Sequence, residues 1–210
     1  MKLALIGATG LIGRQLWPLL DALHDLVVLG RRPSGAGRER LGAMEDWPRL
    51  LGGERIDAAL STLGTTRKQA GSWERFVAVD RDAVLAFARA ARTAGARHFL
   101  AVSSSGADPA SRNGYLRLKG EVERTLWGIG FERVDILRPG LLLGQRQERR
   151  TGEAIGQALS PALNLLLRGP LDRYAGIDAG LVARAMAALV AREEAGLFRH
   201  GNREIRALAA

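Results

Sequence analysis

Apolar positions along this chain fall into two alternating rhythms. Short, nearly continuous apolar runs recur at 2–6, 26–29, 56–63, 99–102 and 134–137. Runs of that length are too short for helices and suit strands buried on both faces. Between them the spacing is helical: Leu11, Ile12, Leu16, Leu19, Leu20 and Leu23, then Phe76, Val79, Ala83, Val84, Phe87, Ala88 and Ala91, which stop at Gly95. Pro18 lies inside the first of these, lacks an N–H and crowds the preceding turn, so a kink or early end is expected there. Further helices are predicted over 115–127, 152–168 and 179–193, with a small strand near 197–199. Residues 33–55 have few β-branched residues and read as a loop with a short third strand or helix. Strand and helix alternate throughout, which predicts an α/β protein: a doubly wound, mostly parallel sheet with helices on both faces.

The first strand empties into Gly7-Ala8-Thr9-Gly10-Leu11-Ile12-Gly13. A glycine turn between strand and helix lets backbone amides and the positive end of a helix dipole approach a pyrophosphate. Gly7 would make the turn, Gly10 the close approach and Gly13 the helix–strand contact. Thr9, Leu11 and Ile12 complete the expected cradle. The glycines and Thr9 interrupt the N-terminal apolar run, so it reads as a strand and not as a signal peptide.

Arg31 and Arg32 follow the second strand, where a dinucleotide fold meets the adenosine ribose. A carboxylate there would favour NAD. Guanidinium groups pair with a 2′-phosphate, so NADP(H) is expected over NAD(H). Leu63, Gly64 and Thr65 end the 56–63 strand, a position suited to lining a cofactor.

Composition narrows the chemistry. There is no cysteine, so disulfides, thiolate metal sites and thiol nucleophiles are excluded. The three histidines show no ligand spacing, and no metal site is expected. Lys and Arg total 31 against 22 Asp and Glu, a net charge of +9. The basic residues are dispersed, a pattern of solvated surface more than of nucleic-acid binding. No apolar run approaches a membrane span. A cytoplasmic protein acting on a small molecule, with no nucleic acid or membrane partner, is expected, as monomer or homodimer.

Tyr115 and Lys119 share one face of a predicted helix, and Ser103-Ser104-Ser105 ends the strand before it. A neighbouring ammonium stabilises a phenolate, which makes a tyrosine useful for exchanging protons with a carbonyl oxygen.

Together, Gly7-x-x-Gly10-x-x-Gly13, the serine-ended strand, Tyr115-x-x-x-Lys119 and Arg138-Pro139-Gly140 resemble the short-chain dehydrogenase/reductase superfamily. The runs 63–67, 79–82, 104–108, 115–116, 119–123 and 138–140 are similar to its atypical, Tat-interacting-protein-like branch. The resemblance implies a Rossmann-type fold over 1–210 as one domain, with about 141–210 contributing the substrate side. It implies NADPH-dependent interconversion of a carbonyl and an alcohol, or a non-catalytic NADPH-binding regulator. Tyr115 would transfer the proton, and Lys119 would tune it and hold the nicotinamide ribose. Ser104, preferred over Ser105 by counting from the strand start, would hold the substrate oxygen. Arg31 and Arg32 would meet the 2′-phosphate, and Leu63, Gly64 and Thr65 the adenine side. Ser103, Arg138 and Pro139 are further expected at the cofactor. Where many extended members carry a structural asparagine, this chain carries Asp80. Little chain follows Arg138, so either the substrate is small or a partner chain completes a shallow cleft.

Overall fold

Strand β1 (Lys2–Ile6) shows why the sheet is covered on both sides. Leu3 and Leu5 enter one apolar cluster, Ala4 and Ile6 the other, and all four are fully buried. A period of two thus divides one strand between two helical layers. The computed structural model describes residues 1–144 and 169–210. After β1 come β2 (Asp25–Gly30), β3 (Glu39–Leu41), β4 (Ala58–Ser61), β5 (His98–Val102) and β6 (Arg133–Leu137), then β7 (Leu142–Leu143), β8 (Ile177–Asp178) and β9 (Gly196–His200). Seven of them form one sheet in the order β3-β2-β1-β4-β5-β6-β9, every pair parallel. Strands β7 and β8 make a separate parallel pair. The expected Rossmann-type doubly wound sheet is what the chain forms.

The helices are α1 (Gly13–Asp21), α2 (Trp47–Leu51), α3 (Arg67–Ala70), α4 (Trp73–Val77), α5 (Val84–Thr93), α6 (Gly114–Gly128), α7 (Ala179–Leu189) and α8 (Asn202–Leu208). Leu16 and Leu20 of α1, Met186 of α7 and Ile205 of α8 pack on the Leu3/Leu5 side. Trp47 of α2, Phe87 of α5, and Val122 and Leu126 of α6 pack on the other.

Several elements differ from the sequence pattern for identifiable reasons. Helix α1 ends at Asp21, three residues past Pro18, and leaves Leu23 78% exposed. The helix predicted from Phe76 to Ala91 is interrupted by a π-helical turn over Ala78–Ala83, which inserts an extra residue and turns Asp80 inward. The 33–55 segment holds β3, a 3₁₀ turn at Met44–Asp46 and α2. Strand β3 escapes the apolar rhythm because it is an edge strand fixed by charge. Glu39 accepts from the Ser34 hydroxyl, and Arg40 donates to Glu54 and to the Leu50 carbonyl. The predicted 152–168 helix lies outside the described residues, while β7, β8 and α8 had no sequence signal.

Candidate active site

From β1 and β4 the strand order runs outward in opposite directions, and ligands of such sheets sit beyond the carboxyl ends at that reversal. The glycine loop leaves β1 at this point. Gly7 has φ +87°, and a Cβ on it would stand 2.5 Å from the Leu63 amide nitrogen and 2.7 Å from Thr62 Oγ1. The Thr62 hydroxyl donates to the Gly7 carbonyl at 3.0 Å, closing β1 onto the end of β4. At Gly13 any Cβ would run into the Gly7 carbonyl and the Ala8 backbone. Both positions therefore require glycine, one for its turn and one for the seating of α1. Thr9 and Gly10 are exposed, Leu11 is half-buried, and Ile12 is buried beneath. Helix α1 starts with no side-chain cap, and the Arg14 and Gln15 amides donate to the Gly10 and Ile12 carbonyls at 3.1 and 3.0 Å, so the positive end of the helix faces the turn through its backbone alone. These residues fit a dinucleotide's diphosphate. Arg31 and Arg32 stand exposed just past β2, free of a neighbouring carboxylate in sequence.

Helix α6 brings the other half of the site. Its cap, Asn113, accepts from the Tyr115 and Leu116 amides, which fixes where the first turn begins. Gly120 lets the helix lie directly on the Asp108–Pro109 backbone, where a Cβ has no room. Lys119 is consequently buried, and its Nζ lies 2.7 Å from Asp80 Oδ1. The Thr65 amide donates to Asp80 Oδ2 at 2.8 Å. One carboxylate therefore joins α6 to the loop after β4. Lys119 Nζ would lie 4.0 Å from a Cβ on exposed Gly64, so the ammonium reaches the edge of the cofactor crevice.

One turn further along α6, buried Glu123 forms a second centre. The Ser103 hydroxyl donates to it at 2.5 Å, Arg138 Nε at 2.9 Å and Arg199 Nε at 3.4 Å. Ser61, Leu63, Asp80, Ser103, Lys119 and Glu123 line one small crevice between the strand ends and α6.

The sequence-predicted residues therefore divide. Gly7, Thr9, Gly10, Leu11, Ile12 and Gly13 form one continuous loop, while Leu63, Gly64, Thr65 and Lys119 gather at the neighbouring strand end. Ser103 and Arg138 turn their polar groups to Glu123, and Pro139 is buried behind them. Ser104 is half-buried, its hydroxyl making one long bond, 3.3 Å, to the Ser105 carbonyl. The Tyr115 ring meets Phe76 at a tilt of 37°, with centroids 5.8 Å apart. Among the described residues its hydroxyl has no hydrogen-bond partner. The role of Glu123 was missed. Its spacing of four from Lys119 on one helix face was the available signal.

The parallel sheet and the glycine turn at its strand-order reversal define a Rossmann-type protein with a crevice that fits a nucleotide cofactor. More narrowly, the NAD dependent epimerase/dehydratase family matches residues 3–196, and the chain belongs to that family. It is 37% identical over 188 residues to "Protein fmp52, mitochondrial" of Emericella nidulans, covering 83% of this chain and 81% of that protein. It is 38% identical over 206 residues to the Aspergillus fumigatus protein of the same name, covering 88% and 84%. Among solved structures it is similar to UDP-glucose 4-epimerase with UDP-glucose from Thermotoga maritima: TM-score 0.71, 16% identity, 96% of this chain and 77% of that one. A short-chain dehydrogenase/reductase superfamily protein from Agrobacterium tumefaciens with bound NAD gives a TM-score of 0.67 at 20% identity, covering 100% and 81%.

These relatives correct one expectation. The cytoplasmic location inferred from the lack of cysteine is overturned by relatives 33–40% identical whose names place them in mitochondria. Absence of thiols reports redox chemistry and does not name a compartment.

Proposed function

We propose that the protein is an NADPH-dependent oxidoreductase that interconverts a carbonyl and an alcohol on a small molecule. The observation that carries this reading is the reach of Lys119. From the helix that bears Tyr115, its ammonium arrives under Gly64, at the end of the strand beside the glycine turn. When bound, the nicotinamide cofactor supplies or accepts hydride. Tyr115 gives a proton to the carbonyl oxygen in reduction and takes it back in oxidation. Ser104 holds that oxygen, and Lys119 holds the nicotinamide ribose. Gly7, Gly10 and Gly13 seat the diphosphate, Leu63 and Thr65 border the adenine, and Arg31 and Arg32 take the 2′-phosphate. Assignment to the Tat-interacting-protein-like branch belongs to this proposal and is supported by the motif runs, although the curated relatives carry another name.

Tyr115→Phe is expected to abolish NADPH oxidation by a carbonyl substrate while calorimetric binding of NADPH persists. Full activity in this variant would reject the assignment. Arg31→Ala with Arg32→Ala is expected to raise the NADPH dissociation constant far more than that of NADH.

One observation favours a second reading, a regulator that binds NADPH without chemistry. Lys119 is tied to Asp80, and Ser103 and Arg138 to Glu123, so three polar groups of the site already have protein partners. Retained cofactor binding with no turnover on any carbonyl panel would select it.

A further inference from the structure

The catalytic assignments leave a row of rings and two arginines unexplained. Trp73, Phe76 and Tyr115 form a row of mutually tilted rings, with centroid separations of 5.3 and 5.8 Å. The Arg67 guanidinium lies over the Trp73 ring, 5.5 Å from its centroid. Trp73 also borders the start of α6, where a Cβ on Gly114 would stand 3.4 Å from its ring. A second ring, Tyr174 at the end of the Gly169–Tyr174 turn, meets the loop that carries Ser104 and Gly106 beside the same helical turn. There a Cβ on Gly106 would lie 3.6 Å from Leu116 and 3.9 Å from the Tyr174 ring. The Arg173 guanidinium covers Tyr174 at 4.8 Å. Tyr174 is 44% exposed and nearby Leu141 53%, so this wall is apolar and open.

Among the described residues neither Arg67 nor Arg173 pairs with a carboxylate, and Asp172, the sequence neighbour of Arg173, is taken by Arg206 at 2.8 Å. A guanidinium lying over a ring keeps its N–H donors in plane and pointing outward. Each ring–arginine pair thus offers an apolar surface with an anion-binding edge.

We infer that the substrate is a planar aromatic carbonyl compound bearing a carboxylate. Its ring packs on Trp73 or Tyr174, its carboxylate meets Arg67 or Arg173, and its carbonyl points to Ser104 and Tyr115. This rests on the oxidoreductase reading and specifies its substrate. In reduction the carbonyl carbon gains a hydride from NADPH and its oxygen gains the Tyr115 proton, leaving NADP⁺ and an alcohol.

The test uses the full chain and two readouts. Calorimetry compares terephthalate, which has no reducible aldehyde, with UDP-glucose. Kinetics with NADPH compare 4-carboxybenzaldehyde, 4-methylbenzaldehyde and hexanal. Terephthalate is expected to bind, and Arg67→Ala with Arg173→Ala is expected to weaken it roughly tenfold. The same double variant is expected to raise KM for 4-carboxybenzaldehyde roughly tenfold more than for 4-methylbenzaldehyde. Trp73→Phe, which keeps a ring, is expected to preserve terephthalate binding better than Trp73→Ala. Binding of terephthalate without turnover of any aldehyde would support the ligand class and reject hydride transfer. Turnover of hexanal without terephthalate binding would overturn the inference and leave the oxidoreductase reading standing. Equal effects of the arginine variant on both aromatic aldehydes, or binding of UDP-glucose alone, would also overturn it.

Discussion

Two carboxylates removed from water, Asp80 and Asp135, lie on opposite faces of the sheet and are held in opposite ways. Asp135 is completely buried, and its strand neighbours Val134 and Ile136 turn toward α6 while it turns away. His98 Nε2 approaches one of its oxygens at 2.7 Å, His200 Nε2 the other at 2.6 Å, and Arg133 Nη2 donates at 3.0 Å. Arg133 in turn donates to the Glu194 carbonyl at 2.7 Å and lies over Phe198. This cluster ties β5, β6 and β9 together and touches no residue of the proposed reaction. Among the described residues Asp80 has two partners, Lys119 and the Thr65 amide, and both belong to the candidate site. The contrast separates a structural staple from a positioning group. Multiple hydrogen bonds make the first rigid, while in the proposed function the sparser set around the second leaves Lys119 one partner to exchange for a ribose hydroxyl.

The strongest break in that comparison is Asp135→Ala, which strands a buried guanidinium. A loss of about 3–5 kcal/mol is expected in urea unfolding, with unchanged turnover per folded molecule. Asp80→Asn keeps a hydrogen-bonding side chain but leaves the buried Lys119 ammonium without its counter-charge; it should cost about 3 kcal/mol and, unlike Asp135→Ala, also lower kcat or raise KM for NADPH. If the two variants change stability and turnover in the same proportion, the distinction fails.

Acid sharpens the contrast further. Burial alone would push the Asp135 carboxyl up, but hydrogen bonds from His200, His98 and Arg133 outweigh it and hold the group well below the usual carboxylate range. Its folded value is depressed, so the stability it contributes is complete above the unfolded value of about 3.9 and drains away as pH falls below that. Urea midpoints measured at successive pH values below 5 should fall more steeply for the wild type than for Asp135→Asn. The smallest effect is expected for His200→Gln, which keeps a donor near a partly exposed position and should cost about 1 kcal/mol in the same assay.

Local rules made most of the strands readable, because β1, β2 and β5 are continuous apolar runs. The turn at Gly7 was equally readable, since only glycine accepts its backbone angle and the approach of Leu63. What escaped was carried by contacts distant in sequence. His98 and His200 look unrelated in the chain, and parallel crossovers place them on the two oxygens of one carboxylate. Asp80 was visible as an unusual residue, but its partner follows from the π-helical turn, which no apolar spacing announces. Glu123 reads as an ordinary helical carboxylate until Ser103, Arg138 and Arg199 converge on it. Strand β3 was unreadable for another reason: its place at the edge is held by Arg40 and Glu39, not by apolar burial.

Every strand neighbour in the large sheet runs in the same direction, so no pair can close through a hairpin. Arg133 meets Gly196 and Lys2 meets Asp25 only after the intervening chain has been ordered. Renaturation from urea should therefore be slow and should tolerate dilution better than crowding with like chains, since the unpaired rim of β6 waits for β9 to arrive.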